Sequence, residues 1–572
     1  MKKITVRFLM IGGTAITLNG FVFLNMYTFQ WMIDFLTGDQ INKAFIWLSL
    51  HFANLLLIGA LRYCNTVSLG KMEDYIETEY SKEVLSKIAS LQYKCFETKT
   101  VLPTIHLVWT EMIRRYSGLG RMINDLINLV VSFVGVFFYL TKASWTLPLI
   151  VTGILFPSVW LMIIAERKEL NSTEAFWGDF RKQRLYSDQI VSREYAKEER
   201  IFNTYPILSE YWKKTLQDFH HAQLFSNLKE RFSIGIISLL QFVLITLLVV
   251  SLFPKVSTGT ITLGFLVSAA NSLWRIIGDL EGQIYSVLNY GGRFINWEKN
   301  KQIIETLPED QDKGIHIKSI ESIEFKDVWF HYPESKEYVL KGVSFKIEKS
   351  KKYALVGENG CGKSTIIKIL LGLLQPEKGQ VLINGIDADS IKQKDRYRLF
   401  ETVFQDYVKY NLSLRDNLSM GMDEKEQVDE PCLQMVQNVF PELMGKCPQG
   451  LDTKLGLIDE QGIDLSGGEW QKVAIIRAIL KNQDWAVFDE PTASLDPLTE
   501  ISVYHTLMEE MKNRTTIIVT HRLGLVRFVD EIIVIKDGRI IGKGSHTTLM
   551  KECEDYEEMF NASANWFEPG KN

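Results

Sequence analysis

The chain has no C-x-x-C pair anywhere in its 572 residues. Its six cysteines, Cys64, Cys95, Cys361, Cys432, Cys447 and Cys553, are scattered, which indicates neither a disulfide framework nor a zinc site and fits a reducing compartment. Charge of one sign is also scarce. The formal net charge is −5, so there is no electrostatic footprint for a nucleic-acid partner. Long apolar runs are missing after about residue 285, although 46% of all residues are hydrophobic. That absence splits the chain into an apolar first half and a second half of ordinary soluble character. The length independently calls for two or three domains.

The first half holds six apolar runs, at 8–27, 45–66, 123–140, 145–165, 232–253 and 260–277. Each is close to the ~20 residues that a helix needs to cross a bilayer. A signal peptide would explain the first run alone, but it has no clear small-residue cleavage site and more runs follow. Pro148 and Pro157 in the fourth run are tolerated in membrane helices. Three connections carry a single basic residue each, Lys43, Lys142 and Lys255. The connection between runs two and three carries eight, including Lys94, Lys99, Arg114 and Arg115, and the one between runs four and five carries twelve between Arg167 and Arg231. The amino terminus, both long connections and everything after run six are therefore expected on the cytoplasmic side. The long connections show helical apolar spacing over 77–91 and 180–219, and read as extensions of the spans that turn around near 96–104 and 194–202.

The second half is organised around 465–496, LSGGEWQKVAIIRAILKNQDWAVFDEPTASLD. A glycine turn, Leu465-Ser466-Gly467-Gly468-Glu469, opens an amphipathic helix, and such a turn aims N–H groups and a positive dipole end at an anion. A short apolar run of buried-strand length then ends in Asp489 and Glu490, at the carboxyl end of a strand, where α/β sheets place ligands. Upstream, Gly357-Glu358-Asn359-Gly360-Cys361-Gly362-Lys363-Ser364-Thr365 fits G-x-x-x-x-G-K-[ST], between a strand-like run and a helical run. The glycines let the backbone close around phosphates, Lys363 would reach the β- and γ-phosphates, and Ser364 would hold Mg²⁺.

These motifs together resemble the nucleotide-binding domain of ABC transporters over about 320–560. LSGGE at 465–469 resembles the family signature, WAVFDE at 485–490 its Walker B strand, and Ser494-Leu495-Asp496 its D-loop. Gln405 in VFQD resembles the Q-loop residue, His521 after the strand 516–520 the switch histidine, and Tyr332 in VWFHYPE the aromatic that stacks on adenine. The resemblance implies ATP and Mg²⁺ as bound groups. Catalytic roles fall to Glu490, His521 and Gln405, and metal contacts to Ser364, Gln405 and Asp489. Nucleotide contacts fall to Tyr332, Gly357, Asn359, Gly360, Cys361, Gly362, Lys363, Ser364, Thr365, Ser466, Gly467, Gly468, Glu469 and Asp496.

Six spans followed by one ATP domain resemble the exporter class. They imply an α-helical transmembrane domain (1–300), a linker (301–320) and an α/β P-loop ATPase domain with a helical subdomain (321–572). The segment 196–202 resembles the family's second coupling helix. In this family the P-loop of one ATP domain faces the signature of another, so a second half-transporter chain, expected to be a second copy, completes the site. The resemblance places the chain in the cytoplasmic membrane, in contact with the lipid bilayer and an exported substrate. LSGGEWQK at 465–472 and FQDYVKYNLSLRDNL at 404–418 look like lantibiotic and microcin exporters, so the expected cargo is a modified, antimicrobial peptide, with any leader removed by another protein. A multidrug or lipid exporter is the alternative, and an ATP-gated channel or regulator a third reading.

Two further residues stand out. Cys361 sits inside the phosphate loop, where a helix amino end and Lys363 are expected to lower its thiol pKa. Arg275 and Asp279 share a helix face in the sixth run, with Glu281 close by, and read either as a self-satisfied pair near the membrane edge or as a charged patch lining a cargo cavity.

Overall fold

The computed structural model describes residues 2–99, 101–109, 118–175, 177–310, 313–420, 422, 429–492, 495, 497–520 and 525–565. Its contacts divide the chain into two units. One is Met1–Ala89 with Pro103–Thr306, and the other is Ser90–Leu102 with Leu307–Asn572.

Among the described residues the first unit is built of helices: α1 (Lys2–Thr37), α2 (Ile41–Ala89), α3 (Val101–Leu107, mostly in this unit), α4 (Leu119–Leu140), α5 (Thr146–Ala175), α6 (Trp177–Val191), α7 (Ala196–Phe202), α8 (Tyr205–Ser251), α9 (Phe253–Ser257) and α10 (Leu263–Thr306). Among the described residues four helical stretches are long and apolar enough to cross a membrane: Phe8–Thr37, Ile41–Ala89, Leu119–Leu140 and Gly235–Ser257. The fourth expected span falls on α5, whose apolar stretch Thr146–Leu161 is shorter, and the sixth on α10, which carries Arg275 and Asp279. Helices α2, α8 and α10 have 49, 47 and 44 residues, so at ~1.5 Å per residue each is about 70 Å long, over twice the ~30 Å of hydrocarbon. In α2 and α8 the apolar stretch and its extension are single helices, as the apolar spacing anticipated, whereas the continuation of α10 beyond its apolar run was not anticipated.

This unit buries an apolar core that includes Met26, Tyr139 and Leu273, yet it also leaves many large apolar side chains uncovered. Leu9, Leu56, Phe138, Trp160 and Leu247 are exposed, while Asn19, Asn54, Asn65 and Asn124 are buried. The buried amides bond between helices: Thr14 donates to Asn65 Oδ1 (2.9 Å), Asn65 to Asn124 Oδ1 (2.9 Å) and Asn19 to Asn128 Oδ1 (2.7 Å). Interhelical amide bonds of this kind hold helices together where lipid removes the hydrophobic drive. Asp34 accepts from Gly264 N at 2.8 Å and from the Thr262 hydroxyl at 2.9 Å, which caps the start of α10. The second turnaround lies where the sequence put it, with α7 between α6 and α8. The first comes earlier than 96–104, because α2 ends at Ala89 and a 3₁₀ turn follows at Tyr93–Cys95. Helix α10 continues past residue 300 to Thr306; the first proline after it is Pro308, which cannot donate to a helical ladder.

The second unit is layered. A four-stranded antiparallel sheet is ordered β2-β1-β4-β5, from β1 (Ser322–Phe330), β2 (Leu340–Glu348), β4 (Lys378–Ile383) and β5 (Ile386–Asp387). A six-stranded sheet is ordered β10-β9-β3-β8-β7-β6, from β3 (Lys352–Val356), β6 (Phe400–Val403), β7 (Trp485–Asp489), β8 (Thr515–Val519), β9 (Glu531–Lys536) and β10 (Arg539–Gly544). In it β3, β6, β7, β8 and β9 are parallel, and β7 and β8 are buried along their whole length, as sheets covered on both faces require. Helix α11 (Lys363–Leu371) packs with both sheets in one core that includes Phe325, Leu340, Ile366 and Val487. Helices α12 (Gln393–Arg398), α13 (Leu414–Ser419), α14 (Asp429–Val439), α15 (Leu443–Lys446) and α16 (Gly467–Leu480) follow, and α13 to α16 share a second core with Trp470 and Phe488. The chain closes with α17 (Pro497–Glu510), α18 (His546–Glu552) and α19 (Glu554–Asn565).

Candidate nucleotide site

Strand β3 ends in the glycine loop and α11 begins at Lys363. Gly362 has φ +108°, and a Cβ there would lie 2.6 Å from Leu340 Cδ2. Gly357 is equally confined, since a Cβ would meet Ile535 O at 2.2 Å and Cys361 Sγ at 2.8 Å. The loop can close this tightly only with glycine at those places. Glu358, Asn359 and Gly360 form its exposed lip. Lys363 is buried, and its ammonium spans the hollow, donating to Gly357 O (2.9 Å) and Glu358 O (2.7 Å). That places one positive charge and the amino end of α11 in one concavity, the arrangement that binds phosphate.

Parallel pairing of β7 with β8 carries Asp489 to the loop. Asp489 is 5% exposed, its Oδ1 is buried without a hydrogen-bond partner, and the Ser364 hydroxyl reaches the same carboxylate. Burial raises its pKa, Ser364 opposes that, and the charge of Glu490 adds to it. Glu490 follows with φ +49°, a left-handed conformation that is strained for a side-chain-bearing residue and typical of functional turns. Its backbone N–H donates to Val519 O at 3.0 Å, and Gln405 Nε2 donates to its Oε2 at 3.0 Å. The geometry therefore brings Lys363, Ser364, Gln405, Asp489 and Glu490 together.

The second turn is built differently. Ser466 caps α16 in a reciprocal capping box, its hydroxyl accepting from Glu469 N (3.3 Å) and its own N–H donating to Glu469 Oε2 (2.8 Å). Lys446 pairs with Glu469 from the outside. Among the described residues no hydrogen bond joins this turn to the phosphate loop. Two bonds not anticipated from sequence tie it instead to the acids and the Q-loop. Tyr407 donates its hydroxyl to Gly467 O at 2.6 Å, and Gln471 Nε2 donates to Glu490 O at 3.3 Å. Their only sequence signal is position: Tyr407 lies two after Gln405, and Gln471 one helical turn past Gly467.

Tyr332 lies beside the loop, its hydroxyl 3.2 Å from that of Thr365 and its ring edge-on to Phe330 (5.2 Å, 83°). His521, Ser494 and Asp496 fall outside the described residues. Two expectations about charge come out differently or only loosely. Cys361 is 7% exposed, and burial pushes its thiol pKa up despite the opposing pull of Lys363 and nearby backbone N–H groups. Arg275 Nε and Asp279 Oδ2 lie 3.9 Å apart with side chains 40% and 58% exposed, a loose pair rather than a buried one.

A phosphate loop, a strand-end acid pair and a capped glycine turn on one α/β scaffold define a P-loop ATPase, here joined to a unit of long apolar helices. The comparisons make the class specific. The family model described as ABC transporter matches residues 340–493. The chain is similar to the subtilin transport ATP-binding protein SpaT of Bacillus subtilis, 28% identical over 517 residues that cover 87% of this chain and 82% of that one. It is 24% identical over 545 residues to the nisin transport ATP-binding protein NisT of Lactococcus lactis subsp. lactis, covering 92% and 90%. A bacterial Atm1-family ABC exporter solved with ATP bound has the same fold, with a TM-score of 0.79 at 21% identity over 100% of this chain and 99% of that one. Residues 340–493 thus carry an ABC transporter ATP-binding domain, and the chain as a whole has the fold of an exporter in which such a domain follows a helical unit.

Proposed function

We propose that two copies of this chain export a modified peptide across the cytoplasmic membrane by alternating access driven by ATP. The observation that carries the cargo class is similarity to two proteins named for subtilin and nisin transport along nearly the whole of all three chains. Six spans, with the amino terminus and ATP domain cytoplasmic, agree with the basic connections. Helix α10 is then a span whose Arg275 and Asp279 face the cargo path, where the cost of charge in lipid is avoided.

ATP lies with its base on Tyr332 and its phosphates in the loop of one copy, under Ser466, Gly467, Gly468, Glu469 and Asp496 of the other. The unpartnered, buried Asp489 oxygen and the Ser364 hydroxyl form an all-oxygen donor set that fits Mg²⁺, with Gln405 as the third contact. When bound, that ion neutralises charge on the phosphate oxygens. Lys363 moves from its two loop carbonyls to the phosphates. Glu490, oriented by Gln405, takes a proton from the attacking water, and His521 contacts the γ-phosphate. Closing the ATP domains shifts the helices between two states, each favoured by a different ligand.

The test is transport into inverted membrane vesicles of a leader-bearing precursor peptide. Vectorial, ATP-dependent uptake with peptide-stimulated ATPase supports the reading. Steady conductance without turnover, or stimulation only by lipids and drugs, contradicts it. Arg275→Glu is expected to change peptide uptake more than basal ATPase, with partial recovery in Arg275→Asp combined with Asp279→Arg.

A further inference from the structure

The segment Ser90–Leu102, which connects α2 to α3, belongs by its contacts to the ATP-domain unit. It is anchored to the chain leaving α10. Leu91 and Glu309 form an antiparallel bridge, Gln92 N donates to Pro308 O at 3.0 Å, and Asp310 N donates to Ser90 O at 2.8 Å. Tyr93 packs on the core that contains α11, and its hydroxyl donates to Glu97 Oε1 at 2.6 Å. The same carboxylate oxygen accepts from Lys368 Nζ at 3.0 Å.

Lys368 is where this segment meets the nucleotide side. It stands on α11 one helical turn after Ser364, so the helix that holds the phosphates holds it too. Its ammonium is 5.2 Å from the Tyr93 ring centroid and 5.6 Å from that of Tyr332, both within cation–π range. The Tyr332 ring is thus fixed by three contacts, the Phe330 edge, the Thr365 hydroxyl and Lys368. Burial alone would lower the lysine's pKa, but its bonds to Glu97 and Tyr93 outweigh that and hold it above the usual range, so the charge is permanent. The pair is three-quarters buried on both sides, unlike most surface ion pairs, which contribute little.

We infer that Lys368 is a positioning residue that joins the base-facing Tyr332 to the segment 90–102 through Glu97, so that the seating of this segment sets the affinity of the site for the nucleotide base. The inference rests on the proposed role of Tyr332 in stacking on adenine. Ala89 ends α2 and Ser90 begins the segment, so the segment continues directly from a membrane-type helix. A purely structural role for the ion pair would affect folding stability and would act alike on every nucleotide.

The test uses the full-length protein in lipid nanodiscs, measuring KM and kcat for ATP and for CTP, whose smaller base stacks less. Lys368→Met is expected to raise KM for ATP about 3- to 10-fold, with a smaller effect on kcat and a smaller rise in KM for CTP. Lys368→Arg restores most of the loss. Glu97→Gln shifts KM for ATP in the same direction, and the Glu97→Gln, Lys368→Met double variant has the KM of Lys368→Met alone. Additive effects in the double variant, or equal shifts for ATP and CTP, overturn the inference, as does an unchanged KM for ATP in Lys368→Met with wild-type thermal unfolding. Tyr332→Ala separates the two layers. If it raises KM for ATP while Lys368 and Glu97 variants do nothing, only the positioning role fails; if it leaves KM unchanged, the adenine reading fails and the inference falls with it.

Discussion

In the turn at 357–365 three glycines have positive φ, Lys363 crosses the hollow, and Asp489 stands at its edge with an unpartnered oxygen. In the turn at 465–469 neither glycine has positive φ, no cation points inward, and Ser466 and Glu469 already occupy each other's backbone donors. Both turns open a helix, and both aim a positive dipole end outward. The first is complete as an anion site within one chain. The second satisfies its own end groups, and its partial charge acts on an anion only when one is brought to it. On the proposed reading the first turn binds the nucleotide and the second responds to one held by another copy.

The largest effect is expected at the acid beside the first turn. Glu490→Gln should lower hydrolysis by about 10²–10⁴-fold while nucleotide stays bound. Phosphate release at close to the wild-type rate would contradict its role as base. Cys361 probes the interior of the same turn. Its thiol pKa is raised by burial, so alkylation at pH 7 should be slow compared with that of a small free thiol in solution and should speed up about tenfold per pH unit up to the raised pKa. Stoichiometric labelling should abolish ATPase and MgATP should protect; full activity after labelling would break the picture of a closed phosphate hollow. The smallest effect is expected at the second turn. Tyr407→Phe removes one hydrogen bond to Gly467 O, worth about 0.5–1.5 kcal/mol, and should slow ATPase about 2- to 10-fold. Equilibrium ATP affinity, set by the first turn, should stay within error; a matching loss of affinity would blur the distinction.

What was legible in the sequence follows the same divide. The first turn could be read because its strand, loop and helix are contiguous, and one pattern fixes residue types at set spacing. The second was legible as a glycine turn before a helix, but its bonds to Tyr407 and Glu490 join residues 60 and 19 apart, and no local pattern encodes them. The placement of Ser90–Leu102 with the ATP domain was not legible at all, since Glu97 and Lys368 are 271 residues apart. The thiol of Cys361 was misjudged because the loop's donors and Lys363 are visible in sequence whereas burial is not. Among the helices, apolarity identified four stretches unambiguously, while α10 carries Arg275 and Asp279, so its membrane character rests on context rather than composition.

Whether the two turns meet between copies is tested most directly by mixed dimers in the Glu490→Gln background, counting occluded ATP per dimer. One preparation carries Lys363→Ala and Ser466→Arg on the same chain, and the other carries one lesion on each chain. If each site joins the first turn of one copy to the second turn of the other, the same-chain arrangement spoils both sites and occludes no ATP, while the split arrangement leaves one intact and occludes one. The reverse result, one ATP with both lesions on one chain and none with them split, would show that each site closes within a single chain and would contradict the account.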